Sequence, residues 1–282
     1  MKFGWIVLVA VCLGCGGDSP STGATPDSNK KVETPTVKPT PAVPDKPATE
    51  GNGGGDAVTE PEGKPVDPAT AGGISGTVTF KGEAPKRGVH DISGDAKCSG
   101  MHDKPLRKED TIIKDGKIEN VLIYVKAAPE GIKFDPPTET PVIDQTKCQY
   151  SPHVVVVVKG QDLEIRNSDD LLHNINGNAF KKNKGFNFGQ DGAGKVNKVK
   201  FNLSEIGVLV KCDVHSWMGA VVHVVPNSKF AKTGSDGGFK IDGLPPGDYE
   251  IVAWHETLGE QSKKIRVDEQ ATATADFEFE KK

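Results

Sequence analysis

Beyond residue 73 the chain alternates apolar and polar side chains with a period of two, the spacing of a strand with one face buried. Ile74-Ser75-Gly76-Thr77-Val78-Thr79-Phe80 sets this rhythm, and Val121-Leu122-Ile123-Tyr124-Val125 reads as a second strand of the same kind. The apolar run 154–158 and the segment 163–166 follow, then 198–201, 207–210 and 220–225. Further strands are expected over 238–241, 249–254 and 264–267, with a last one within 273–279. Gly, Asn, Asp and Pro punctuate the gaps, and no segment carries a helical stripe for three turns. The expectation is an all-β chain built from sandwiches.

Composition then divides the chain. Ten of its 20 prolines fall in residues 16–72, a stretch of 57 residues with no aromatic, Leu, Ile or Met. Such a stretch cannot bury enough apolar surface to offset chain entropy, so a disordered Pro/Thr/Gly linker is expected there. That leaves 210 residues, 73–282, to fold. The linker also carries the charge. It has five Lys against nine Asp and Glu, within a net charge of −4, whereas 73–282 holds 29 basic and 30 acidic residues. A nearly neutral body lacks the basic excess of a nucleic-acid binder, so no nucleic-acid partner is expected.

The first residues assign a compartment. Met1-Lys2, the apolar run Phe3–Leu13 and the small residues after it form an export signal that is short for a bilayer span. Leu13-Gly14-Cys15 resembles a bacterial lipobox, with Cys12 where that motif usually has Leu. The resemblance implies that 1–15 is a lipoprotein signal, that Cys15 is lipidated, and that 16–72 is a membrane tether. The folded part would then be periplasmic or surface-facing in the cell envelope. An ordinary cleaved secretory signal is the alternative. Cys98, Cys148 and Cys212 remain, and an odd count in an oxidising compartment suggests one disulfide and one thiol with another role.

Chemistry concentrates at Lys211-Cys212-Asp213-Val214-His215-Ser216-Trp217-Met218, between two apolar strands, with His173 lying 39 residues before Cys212. One thiolate, two imidazoles and one thioether are the donor set of a type 1 copper site, where soft sulfur suits Cu(I) and imidazole suits both oxidation states. Cys-x2-His alone also serves zinc, but thioether is a poor zinc ligand. Met218 is one of only two methionines after the initiator. A buried free cysteine beside a core methionine is the competing reading.

Residues 140–226 resemble a cupredoxin. The Cys-x2-His-x2-Met spacing is similar to the short ligand loop of amicyanin, and Pro152-His153-Val154, Gly160, Asn167-Ser168-Asp169 and His173-Asn174 match the same pattern. The resemblance implies a Greek-key sandwich with one type 1 copper held by His173, Cys212, His215 and axial Met218. It also implies that Asn174 fastens the two ligand loops. The dinuclear copper centre of oxidases needs two cysteines in this loop and multicopper oxidases need His-x-His pairs, and neither is present. With Cys212 given to the metal, Cys98 and Cys148 are left to form the disulfide. A second soft-metal site from Cys98, Met101 and His102 is the alternative.

The segments Thr233-Gly234-Ser235-Asp236-Gly237-Gly238-Phe239 and Gly243-Leu244-Pro245-Pro246-Gly247-Asp248-Tyr249 resemble the carboxypeptidase regulatory-like, or transthyretin-like, sandwich. Its halves are expected in 73–139 and 227–282, with the cupredoxin inserted between them; two consecutive domains are the alternative. The function implied is an exported electron carrier rather than an enzyme. Its redox partner, by analogy, would be a c-type cytochrome or a dehydrogenase. A copper-holding protein and a carbohydrate-binding or adhesion module are the other readings. Residues 181–200 hold six lysines and one Asp, which suits either an acidic partner or a solvated loop. His153, His223 and His255 are expected to be structural.

Overall fold

The computed structural model describes residues 63–281. The export signal, Cys15 and the linker up to residue 62 lie outside the described residues. The chain begins with β1 (Gly72–Lys81), the short helix α1 (Ala96–Gly100), β2 (Ile113–Lys114), β3 (Lys117–Ile118) and β4 (Leu122–Ala127). Next come β5 (Val142–Thr146), β6 (Gln149–Ser151), β7 (Val154–Val158), β8 (Asp162–Asn167) and β9 (His173–Asn176). They are followed by β10 (Asn187–Gln190), β11 (Lys195–Lys200), β12 (Glu205–Lys211) and β13 (Gly219–Val225). The last run is β14 (Phe230–Lys232), β15 (Gly238–Leu244), β16 (Gly247–His255), β17 (Gly259–Val267), β18 (Thr272–Thr274) and β19 (Phe277–Glu280). The described chain is all-β apart from α1.

The first and last runs share two sheets. β1 pairs antiparallel with β15 and β3 and parallel with β18 and β19. The facing sheet is ordered β14-β4-β16-β17. Val78 in the first sheet and Ile251 in the second meet in one core with Ile74, Ile123, Val125, Phe239 and Phe277. Tyr249 is buried there and donates its hydroxyl proton to Pro245 O at 2.6 Å, which ties the Pro-Pro-Gly turn to β16. The middle run builds its own pair of sheets, β10-β9-β12-β13-β7 and β11-β8-β5-β6. Ile143, Val155, Val157, Leu163, Ile165, Phe201, Val210, Val222 and Val224 fill the space between them.

A third apolar cluster joins the two sandwiches. Leu122, Tyr124 and Val252 from one meet Val158 and Val225 from the other, with Val156, Ile206 and Phe230 beside them. β4 is therefore apolar on both faces, with Ile123 and Val125 turned inward and Leu122 and Tyr124 turned to the neighbour. Burial of each such side chain contributes about 1.5–3 kcal/mol, so the junction is a core in its own right.

Residues 63–72, assigned from composition to the linker, are instead held on the first sandwich. Lys64 N donates to Gly131 O at 2.8 Å, a turn closes from Ala71 N to Asp67 O at 3.1 Å, and Gln270 Nε2 donates to Ala69 O at 2.7 Å. Backbone hydrogen bonds rather than apolar burial hold this segment, which is why composition missed it.

His223, on β13, lies fully buried at the junction. Its Nδ1 accepts from Gly207 N at 3.1 Å, and its ring meets the Trp254 indole edge-on at 4.7 Å. The proton therefore sits on Nε2, which has no hydrogen-bond partner among the described residues. Burial, then the nearby Lys232 charge, draws the imidazole down to about 3. Burial likewise lowers His255 to about 4. Because these folded values lie below the unfolded value of 6.5, acid protonates the unfolded chain first. Stability should fall from about pH 6.5 towards pH 4 with a slope approaching 1.4 kcal/mol per pH unit per group. Denaturant melts of the native chain and of His223→Gln check this: the variant is expected to show the shallower slope, and equal slopes would contradict it.

Candidate metal centre

Three of the four sequence-predicted ligands, His173, Cys212 and His215, converge at one end of the middle sandwich. His173 opens β9 and is fully buried; Cys212 follows the last residue of β12, and Met218 precedes the first of β13. Between those strands the loop closes on itself. Cys212 N donates to Met218 O at 3.1 Å, Met218 N to His215 O at 3.0 Å, and His215 N to Cys212 Sγ at 3.3 Å. The loop is thus a single tight turn that brings His215 over the thiol. Met218 is buried in the same cluster as Cys212.

The two imidazole rings meet edge-on, with centroids 4.8 Å apart. His173 Nδ1 and His215 Nδ1 are 3.0 Å apart, Cys212 Sγ is 3.9 Å from His215 Nδ1, and ligand atoms of all three residues lie within 4.8 Å of one another. Burial pushes the Cys212 thiol up, but His173 and the backbone N–H groups of Asn174, His215 and Val214 outweigh it and draw the thiol down to about 6.

Asp169 supplies order that the sequence reading did not assign. Its Oδ2 lies 2.9 Å from His173 Nε2, so that nitrogen donates outward and Nδ1 is turned in towards the thiol. The same carboxylate accepts Lys147 N at 2.6 Å and Cys148 N at 2.7 Å. Those two residues form the β5–β6 turn with φ of 50° and 52°, a left-handed pair that the carboxylate holds in place. Asn167 positions Asp169 in turn. Its Oδ1 accepts Asp169 N at 3.0 Å, and its Nδ2 donates to Leu171 O and Gln190 O.

The two ligand loops are also tied together. Asn174 Oδ1 accepts Asp213 N, and Asn174, Asn176 and Asn187 all donate amide protons to Asp213 Oδ2. Tyr150 donates its hydroxyl proton to Asn174 O. Trp217 packs its ring 5.1 Å from His215 and donates its indole proton to Cys148 O at 3.0 Å, so it is anchored rather than free. Cys98 and Cys148 are joined in a disulfide. The alternative cluster of Cys98, Met101 and His102 therefore lacks its thiolate, and His102 Nε2 donates to Lys147 O instead.

His153 and the lysine-rich stretch make their contacts outside the cluster. His153 Nε2 lies 2.6 Å from Glu256 Oε1, and its Nδ1 is 3.2 Å from Gly219 O, which links the two sandwiches beside Met218. The lysine-rich stretch is held through its backbone. Glu205 Oε1 accepts Lys181 N and its Oε2 accepts the N–H groups of Lys182 and Asn183, leaving the lysine side chains outward.

The donor set fits a soft metal ion. Two imidazole nitrogens and a sulfur lie within 4.8 Å of one another, and each can give up its proton to hold a cation. Sulfur with nitrogen serves copper and zinc alike.

Comparison with known proteins gives partial likenesses. The sequence model of the carboxypeptidase regulatory-like domain matches residues 216–280. No curated protein matches the chain. Among solved structures, a Cu-containing nitrite reductase (NirK) from Thermus scotoductus SA-01 is 16% identical, with 35% of this chain and 25% of that chain covered and a TM-score of 0.29. The chain thus spans about a quarter of that reductase's length. Amicyanin from Paracoccus versutus is 22% identical, with 36% of this chain and 96% of that chain covered and a TM-score of 0.25. A reduced single-site mutant of amicyanin is 16% identical, with 35% of this chain and 96% of that chain covered and a TM-score of 0.28. The chain is therefore similar to the carboxypeptidase regulatory-like domain over its C-terminal stretch, and weakly similar in part of its fold to copper proteins.

Proposed function

We propose that this chain is an exported, lipid-anchored copper protein of cupredoxin type that carries single electrons. The observation that carries the reading is the convergence of His173 Nδ1, His215 Nδ1 and the Cys212 sulfur in one buried cluster. Cys212, His173 and His215 would hold the ion, with the Met218 thioether as a weak fourth donor. Bound copper supplies one-electron exchange between Cu(I) and Cu(II). Asp169 keeps the His173 proton on the outer nitrogen, and the Asp213 amide cluster fixes the distance between the two ligand loops. Fixed donors keep the site's geometry nearly constant, which favours fast electron exchange over chemistry on a substrate.

In this reading the copper-holding sandwich, 140–226, is inserted into a carboxypeptidase regulatory-like sandwich formed from 73–139 and 227–282. The pairing of β1 with β15 and of β4 with β16 supports it. Cys15 would carry the lipid, the linker would hold the body off a membrane of the cell envelope, and a c-type cytochrome or a dehydrogenase would be the redox partner. A copper-holding protein without a redox role is the second reading, favoured by a His215 that is only 5% exposed. Reconstitution of the purified chain with copper, followed by metal analysis and voltammetry, separates the two. One copper per chain with a reversible one-electron couple is expected. Copper without such a couple leaves the holding protein, and no stoichiometric copper overturns both.

A further inference from the structure

The edge of His215 that faces away from the donor cluster is closed by a part of the chain outside the middle sandwich. His215 Nε2 lies 3.5 Å from Asp95 Oδ2. Asp95 belongs to the long connection between β1 and β2, where it is the N-cap of α1. Its Oδ1 accepts Lys97 N at 2.8 Å and Cys98 N at 2.9 Å, leaving Oδ2 for the imidazole. Two further ties hold the connection down: the disulfide from Cys98 to Cys148, and the hydrogen bond from His102 Nε2 to Lys147 O at 2.9 Å. Both land on the turn whose backbone Asp169 grips while its other contact orients His173. Each imidazole therefore has a carboxylate at its outer nitrogen and its Nδ1 turned inward.

We propose that Asp95 is a positioning residue for His215, and that the segment around α1 is a cap over the solvent edge of the cluster. Asp95 holds the proton on Nε2 and so presents the Nδ1 lone pair to His173 and Cys212. Metal exchange then requires the cap to shift, and the outer edge of His215 is occupied by this chain rather than by a partner. The exchange consequence rests on the proposed copper reading; the placement of the proton is a property of the metal-free chain.

Two substitutions separate the contact to His215 from the helix cap, because Asn and Ser both cap helices well. In Asp95→Asn, Oδ1 can keep the cap while the amide nitrogen faces Nε2, where it can only donate. Ring-nitrogen NMR of the metal-free protein at pH 8 should show Nε2–H for His215 in the native chain and a shift towards Nδ1–H in Asp95→Asn. Asp95→Ser leaves the edge to water, and copper release to a Cu(I) chelator should be about 10-fold faster or more, the usual scale for loss of a partner behind a metal ligand. An intact disulfide, verified by mass, shows that the cap is still attached in each variant. An unchanged His215 proton in Asp95→Asn overturns the positioning role, and unchanged release in Asp95→Ser overturns the cap. A native chain that binds no copper overturns the proposed function instead, and the NMR result still decides the role of Asp95.

Discussion

Gly207→Ala should destabilise the protein by about 3 kcal/mol or more, through a left-handed backbone and an overpacked junction acting together. Gly207 lies in the irregular part of β12, between the registers set by Glu205 and Val208, with φ of 74°. A Cβ built there would lie 2.3 Å from Cζ2 of Trp254 and 2.9 Å from its Cε2. The indole cannot retreat freely, because His223 packs against it and the Gly207 amide is bonded to His223 Nδ1. One methyl group therefore disturbs the glycine, the histidine and the tryptophan that join the two sandwiches. Urea melts should show the loss as a lower midpoint. Adding Trp254→Ala to Gly207→Ala should cost less than the sum of the two single changes, because the clash disappears while the backbone strain remains. A loss under about 1 kcal/mol for Gly207→Ala alone would contradict this account.

Removing the Cys98–Cys148 bridge should have a comparable effect. The bridge spans 50 residues, and closing a loop of that length in the unfolded chain removes entropy worth about 4 kcal/mol. Both cysteines are fully buried, so paired Cys98→Ala and Cys148→Ala changes avoid burying a hydroxyl. The β5–β6 turn should survive, since Asp169 grips both of its N–H groups independently of the sulfur. The expected result is a folded protein with a much lower unfolding midpoint, and a double variant as stable as the native chain would contradict it.

The sequence reveals strands where burial is apolar and conceals them where it is polar. The run of five valines, 154–158, is β7 to the residue, because from Val155 onward its side chains alternate between two apolar cores. β9 reads His-Asn-Ile-Asn, and half of its inward face is a histidine, so no apolar alternation announces it. β10 turns Gln190 inward to an amide network with Gln145, Asn197 and Ile165 O, a polar interior that hydropathy cannot distinguish from a loop. Val121–Val125 looks like a half-buried strand but is covered on both sides, which depends on a second sandwich that local pattern does not report. At the candidate centre the donors were legible because residue type and loop spacing carry their chemistry. The carboxylates behind them were not. Asp169 stood in view four residues before His173, yet only the fold turns it back onto the ring, and Asp95 reaches His215 from another sandwich's connection.

In the proposed function Cys212 and the two histidines bind one copper through a thiolate bond. The direct measurement is the visible spectrum of the Cu(II)-loaded protein beside that of Cys212→Ala. The expected result is an intense blue thiolate-to-copper band at one copper per chain, absent from the variant. Stoichiometric copper without that band, or a band that survives in Cys212→Ala, would contradict it.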